Sequence, residues 1–200
     1  MIEELIGKVE KLVFVATNQA LYLKCSRTFV DKDNIQRKVG DEWVFPGPKL
    51  YYPTQEVDIS KVVSAQIIKP CHALRLKALC NFVDRNGKER KAGEEWIERK
   101  AGSYIPGVYE SVVKMQAPIV LNERQALYIR ALKSYTDYYG NPHKAGDEWL
   151  IQPSQSTWHV LDIYEEQVKV VDLTILTKED FVILVNPIDP KTGKNQKGKE

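Results

Sequence analysis

Long apolar runs are missing from this chain of 200 residues. No stretch reaches the roughly 18 consecutive apolar residues that a membrane-spanning helix needs. Charge of one sign is missing too: 29 Lys and Arg stand against 27 Asp and Glu, leaving a formal +2. That balance gives no field of the kind that gathers nucleic acid or holds a protein on a membrane surface. Cysteine is scarce. Cys25, Cys71 and Cys80 are odd in number and lack metal-type spacing, so reduced, buried thiols in a reducing compartment are expected. His72, His143 and His159 have no acid or cysteine at ligand spacing, so each reads as a surface or loop side chain. No phosphate-binding loop, dinucleotide fingerprint or nucleophile elbow occurs. The opening "MIEELIGKVE" is acidic and alternating, unlike a signal peptide. No catalytic, cofactor-binding or metal-ligating residue is therefore assigned.

What the chain does have is a period. Gly-acid-acid-Trp occurs with its glycine at 40, 93 and 146, a constant step of 53. "ALYLK", "ALRLK" and "ALYIR" begin at 20, 73 and 126, again 53 apart. Two independent motifs locked to one step indicate an array of similar small units. "FVILVNP" at Phe181 opens a fourth copy after a step of 55, which places about two extra residues between Trp149 and Glu165. At the other end, Glu4 to Val15 aligns with Val57 to Ile68. The expected division is 1–16 (the end of a preceding repeat), repeats at 17–69, 70–122 and 123–177, and an incomplete repeat at 178–200. The chain reads as a piece of a longer array.

Within each unit the Ala-Leu-x-Leu segment alternates. Leu21 and Leu23, Leu74 and Leu76, and Leu127 and Ile129 share one face, while Tyr22, Lys24, Arg75, Lys77, Tyr128 and Arg130 point the other way. Period two marks a half-buried strand. In the fourth copy Ile183 and Val185 are apolar on the second face as well, so a strand covered on both sides is expected there. Turn-rich stretches follow at Asp31, Asp84, Asp137 and Asp189. Asn86-Gly87 is the strongest hairpin signal, since both residues tolerate positive φ. Next come Trp43, Trp96 or Trp149 opening a short strand, a bend at Pro53 or Pro106, and a closing alternating stretch. No convincing helical stripe appears. The fold class is all-β: a tandem array of antiparallel β-sheet domains of about 53–55 residues and four or five strands each, set end to end as an elongated rod. Units this small gain from stacking on neighbours.

The acid pairs Asp41-Glu42, Glu94-Glu95 and Asp147-Glu148 are the obvious suspects for chemistry. Adjacent strand residues face opposite sides, so such a pair cannot flank one scissile bond. A structural signature is expected instead: Gly40, Gly93 and Gly146 in an unusual φ, the acids held by N–H groups or cations, and Trp43, Trp96 and Trp149 anchoring the core. The Asp/Asn/Gly loops are rich in the oxygen ligands that suit calcium, but none matches the EF-hand pattern, so ordinary turns are expected. Cys25 and Cys80 read as small buried hydrophobes. Lys191, Lys194, Lys197 and Lys199 have no interleaved aromatics and read as a solvated loop rather than an RNA contact.

Ala-Leu-x-Leu-[Lys/Arg], the Asp-x-Asn-Gly-type turn, Gly-[Asp/Glu]-Glu-Trp, Tyr-x-Pro, "SYIPGVYESV" at Ser103, "HVLDIYEEQV" at His159 and "FVILVNPIDPKTGKNQKGK" at Phe181 together resemble the repeats of the major vault protein family. The likeness runs from about Val9 to the end, with departures at Asp162-Ile163 and Asn186. The resemblance implies a structural shell subunit: β repeats forming the staves of a hollow barrel, the vault ribonucleoprotein particle. It also implies self-association as the main partner, a poly(ADP-ribose) polymerase as a possible protein partner, no direct nucleic-acid or membrane contact, and a cytoplasmic, possibly also nuclear, location. The isolated segment, which lacks a long heptad helix, is expected to be a monomer. The alternatives are a non-catalytic protein-binding β scaffold and, behind it, a calcium-binding β array.

Overall fold

The computed structural model describes residues 11–174, 176–183 and 185. The turn at Asp189, the four C-terminal lysines and Leu184 lie outside the described residues. Among those described there is no helix.

Seven short strands recur three times. Unit 1 comprises β1 (Val13–Val15), β2 (Gln19–Cys25), β3 (Phe29–Val30), β4 (Gln36–Arg37), β5 (Glu42–Pro46), β6 (Lys49–Tyr51) and β7 (Val57–Ser64). Unit 2 comprises β8 (Gln66–Ile68), β9 (Ala73–Ala78), β10 (Phe82–Val83), β11 (Glu89–Arg90), β12 (Glu95–Glu98), β13 (Gly102–Tyr104) and β14 (Glu110–Gln116). Unit 3 comprises β15 (Ile119–Val120), β16 (Gln125–Ala131), β17 (Tyr135–Thr136), β18 (Pro142–His143), β19 (Glu148–Ile151), β20 (Trp158–His159) and β21 (Glu165–Asp172). In each unit the Ala-Leu-x-Leu strand is the centre of a three-stranded antiparallel sheet: β5-β2-β7, β12-β9-β14 and β19-β16-β21. Two two-stranded sheets flank it, for example β1-β6 and β3-β4. The count exceeds the four or five strands expected, because two-residue ladders such as Phe29↔Arg37 are too short to show alternation in sequence.

β1 pairs with β6, and β8 with β13. The paired unit thus begins at Val13, whereas the expected boundary at 16/17 falls between β1 and the strands it joins. The two additional residues of unit 3 fall in the turn between β19 and β20, where the Gln155 N–H donates to Gln152 O.

The alternation dictates the packing. Leu21, Leu23, Leu74, Leu76, Leu127 and Ile129 are buried, and each unit has its own apolar cluster around its pair. Val15, Ile68 and Leu121 stand at equivalent places and are buried too. Burying such aliphatic side chains contributes about 1.5–3 kcal/mol each. Tyr22, on the face opposite the inward leucines, is covered by the next unit: its hydroxyl donates to the carbonyls of Pro106 (2.8 Å) and Gly107 (3.0 Å) in unit 2, and it is buried there. Gly47 is required by close approach, since a Cβ there would stand 2.0 Å from the carbonyl oxygen of Ala16 at the end of β1.

A β-bulge interrupts the same edge strand in every unit. Pairing skips Ser60 in β7, Val113 in β14 and Val168 in β21. The extra residue shifts the inward face by one along the strand.

The fourth copy does not follow expectation. Phe181, Val182, Ile183 and Val185 are exposed, and the first three belong to no strand. In units 1–3 the corresponding strand is covered by two later strands of its own unit, and no described residue supplies them for Phe181.

Candidate functional site: a lock repeated three times

The turn after each central strand is built by one aspartate. Asp84 Oδ1 accepts the N–H groups of Asn86 and Lys88 (2.9 Å each), and Oδ2 accepts Arg90 Nε at 2.9 Å. Asp31 repeats the pattern with Asp33, Ile35 and Arg37. Asp137 repeats it with Tyr139, Asn141 and, in place of arginine, His143 Nε2 at 3.0 Å. Only the last turn residue takes positive φ: Asn34 (58°), Gly87 (78°) and Gly140 (89°). Asn86 does not, contrary to the expectation for Asn86-Gly87, because the aspartate's two hydrogen bonds already shape the turn. These carboxylate oxygens are engaged by N–H donors and a basic side chain, the arrangement of an Asx turn rather than of an ion-binding loop.

The basic residue then lies on the tryptophan of the Gly-acid-acid-Trp motif. Arg37 sits over Trp43 at 4.6 Å and Arg90 over Trp96 at 4.4 Å, while His143 stacks on Trp149 with centroids 3.7 Å apart and planes at 12°. All three tryptophans are half-buried and pack against the edge of their unit's core. They border the core rather than fill its centre, whereas Ile151 at the inward position of β19 is fully buried. Guanidinium over indole contributes of the order of 1 kcal/mol when partly desolvated.

The motif's other members are placed as follows. Gly40, Gly93 and Gly146 have φ of 93°, 81° and 87°. The first acid turns back on the chain: Asp41, Glu94 and Asp147 accept the N–H groups of Lys38, Lys91 and Lys144. The second acid faces the central strand: Glu42 pairs with Lys24, Glu95 with Arg75 and Glu148 with Arg130. Pro106 is buried under the Tyr22 contact and Pro53 is half-buried.

A buried carboxylate is the feature that sequence reasoning missed. Glu110 accepts the Tyr104 hydroxyl and the Gly107 N–H, both at 2.8 Å. Glu165 accepts the Tyr135 hydroxyl at 2.5 Å and the Asp162 N–H at 2.7 Å, and lies 2.7 Å from His159 Nε2. His159 is thus a core residue, not a surface one, and it occupies the place of Tyr104. His143 holds the place of Arg37 and Arg90. The signal for both was a six-residue step: Asp31–Arg37, Asp84–Arg90, Asp137–His143, Tyr104–Glu110 and His159–Glu165. Of the cysteines, Cys25 is buried, with its thiol donating to Arg27 O, but Cys80 is half-buried and Cys71 exposed. Cys80 lies in the turn beyond β9 and not on its inward face.

Burial works against charge on Asp84, but the Lys88 N–H, Arg90 and the Asn86 N–H outweigh it and hold its carboxyl below the usual range. Asp137 is lowered the same way against burial, by Asn141 and His143. In Glu165 burial is again overcome, here by His159 and Tyr135. Burial, then the Glu110 carboxylate, pushes the Tyr104 phenol far up. Each perturbed group is thus spent on another residue of the chain. Among the described residues no group of three or more His, Cys, Asp or Glu is placed to hold a metal ion, and no helix is long and apolar enough to cross a membrane.

Adjacent units touch through polar contacts: Tyr22 to Pro106 and Gly107, Ser103 to Asn18, and Arg99 to Val160 O (3.1 Å) and Asp162 (3.3 Å). The three repeats coincide with those of a known family. The profile described as "Major Vault Protein repeat domain" matches residues 13–54, 66–107 and 119–157, again in steps of 53. The chain is 42% identical over 200 residues to "Major vault protein beta" of Dictyostelium discoideum, covering 98% of this chain and 24% of that protein. It is 40% identical to the "Major vault protein" of Mus musculus (98% of this chain, 23% of that protein) and 38% to that of Homo sapiens (99% and 22%). The chain thus spans about a quarter of the length of these relatives, and with three repeat matches on one period it belongs to the major vault protein family.

Proposed function

We propose that this chain is part of the wall of a self-assembled vault shell and does structural, non-catalytic work. The observation that carries this reading is the threefold Asp–cation–Trp lock, joined from unit to unit by the Tyr22 and Arg99 contacts. Such a chain is a stiffened series of small β domains. In this reading the units lie end to end as a stave, and the principal partner is another copy of the full-length protein. A poly(ADP-ribose) polymerase is a candidate protein partner, and the cytoplasm, with some nuclear fraction, the expected location. The isolated segment remains a monomer.

Negative-stain electron microscopy of the full-length product tests this. Hollow barrels are expected; a dispersed, unassembled product at assembly concentrations overturns the shell reading. Mass measurement of the segment alone should give a single 23.0 kDa species. A stable ring of segments refutes the monomer.

A further inference from the structure

Of the eight asparagines in the chain, only Asn86 is followed by glycine. The pairing matters chemically. The backbone nitrogen after an asparagine can attack the side-chain amide carbon, and a following glycine, having no Cβ, leaves that approach clear. Asn86 and Gly87 are both exposed, and a Cβ added at Gly87 would meet nothing within 4 Å. Other asparagines are tied down: Asn18 Oδ1 accepts the Ser103 hydroxyl, Asn81 Oδ1 the Ala92 N–H and Asn122 Oδ1 the Arg124 N–H, while Asn141 Nδ2 donates to Asp137. Asn141 also precedes proline, which has no N–H to lose. Among the described residues no hydrogen bond holds the Asn86 carboxamide. Asn34 is equally unheld, but the branched Ile35 follows it.

The folded turn opposes the reaction. Gly87 N, the atom that would attack, donates its proton to Asp84 O at 2.9 Å. Asp84 Oδ1 holds the N–H groups of Asn86 and Lys88 at 2.9 Å each. Attack therefore waits for local opening of the turn, and its rate follows the open population. The same aspartate carries Arg90, which lies over Trp96, so the turn and the unit 2 lock share one carboxylate.

We propose that Asn86 is a site of spontaneous deamidation, timed by the Asp84 turn, and that one of its products unfastens the unit 2 lock. Gly87 N gives its proton to solvent base and bonds to Asn86 Cγ. The Cγ–Nδ2 bond breaks, and ammonia leaves with a proton from water. The succinimide so formed then takes up one water. Opening at the side-chain carbonyl gives Asn86→Asp with its backbone intact. Opening at the main-chain carbonyl gives an isoaspartyl link, which lengthens the backbone by one carbon between Asn86 and Gly87. The Gly87 and Lys88 N–H groups then cannot both keep their bonds to Asp84. The isoaspartyl carboxylate is the group that a repair methyltransferase recognises, and that is the class of enzyme this site would take as partner. The proposal stands independently of the shell reading.

The test incubates the whole chain in mildly alkaline buffer at body temperature and maps the products by peptide mass spectrometry, with an isoaspartate-specific methyltransferase as reporter. Conversion of amide to acid is expected at Asn86 ahead of every other asparagine, with isoaspartate at that position. The free peptide Val-Asp-Arg-Asn-Gly-Lys-Glu, whose turn is open, should react about tenfold or more faster than the folded chain. Asp84→Ala should speed the folded chain by about tenfold, the change in open population on losing one to two hydrogen bonds. Ile68→Ala removes buried packing in β8 but leaves the turn intact, and should not speed it. In the isolated isoaspartyl form, amide exchange should rise at Gly87 and Lys88 and stay unchanged in the turns at Asp31 and Asp137. Another asparagine reacting first, a folded chain as fast as the peptide, no product at Asn86 once the peptide is spent, or equal acceleration in Ile68→Ala and Asp84→Ala overturns the proposal.

Discussion

The His143 imidazole lies flat on the Trp149 indole, 3.7 Å between centroids, with Asp137 at 3.0 Å from its Nε2. Arginine does this work in units 1 and 2, so unit 3 alone depends on a ring that carries charge only when protonated. The Tyr135 ring is the other group beside it, at 6.0 Å. His143→Arg restores a permanent cation. His143→Arg should stabilise unit 3 by about 1 kcal/mol, the scale of a guanidinium over an indole, read from urea unfolding. No gain shows that ring stacking does the same work as the cation. Trp149→Ala should cost about 2–3 kcal/mol, below the range for a fully buried aromatic because the side chain packs at the edge of the core and is only partly buried.

Asp84 pairs with Arg90 where both side chains are largely shielded from water, at 2% and 8% exposure. Asp84→Ala should cost about 3 kcal/mol, the lower end for stranding one partner of a buried pair. The pH dependence has a definite sign. The folded carboxyl of Asp84 is held below its ordinary value of 3.8. Its stabilisation is then complete above that value and is lost as pH falls through the folded value. The difference in unfolding free energy between wild type and Asp84→Ala should be constant from pH 7 to 5 and shrink below pH 3.8. A difference that grows in acid contradicts the pairing.

Gly47→Ala forces a methyl group to 2.0 Å from the Ala16 carbonyl oxygen and 2.7 Å from that of Val15. Both contacts are backbone, so the strand β1 itself has to move. The cost should be about 3 kcal/mol or more, at the top of the range for overpacking. Hydrogen exchange should rise in β1 and β6 first. Protection equal to wild type throughout unit 1 refutes the close approach.

Tyr22→Phe removes only the hydroxyl that bridges units 1 and 2. It strands two carbonyl acceptors and should cost about 1 kcal/mol. The effect should appear as an earlier separation of unit 1 in a thermal melt followed residue by residue. Arg99→Ala should do the same between units 2 and 3, since Arg99 reaches both Val160 and Asp162. If either variant melts with wild-type cooperativity, the junction does not couple its units.

The period and the inward leucines were legible because each is a repeated, local signal: a glycine with positive φ, or an aliphatic residue every second position. Tyr22 was not, since its burial comes from a loop 84 residues away. Glu110, Glu165 and His159 were missed because a charged residue inside a small domain contradicts composition-based expectation; only the six-residue step to a hydroxyl or imidazole marks them. The bulges at Ser60, Val113 and Val168 were hidden as well. Alternation looks continuous on each side of them, and the change of phase shows only against the partner strand.

Those bulges have a consequence for anything that approaches β7, β14 or β21 from the open side. An edge strand normally offers an unbroken row of amide and carbonyl groups, a template on which a foreign strand can zip. Here every template is cut midway, at the same position in each unit, so no neighbour can extend the sheet across it. Adhesion along that side has to run through side chains, which release one another far more readily than backbone does. On that flank of each unit, the bulge works against growth into a fibre.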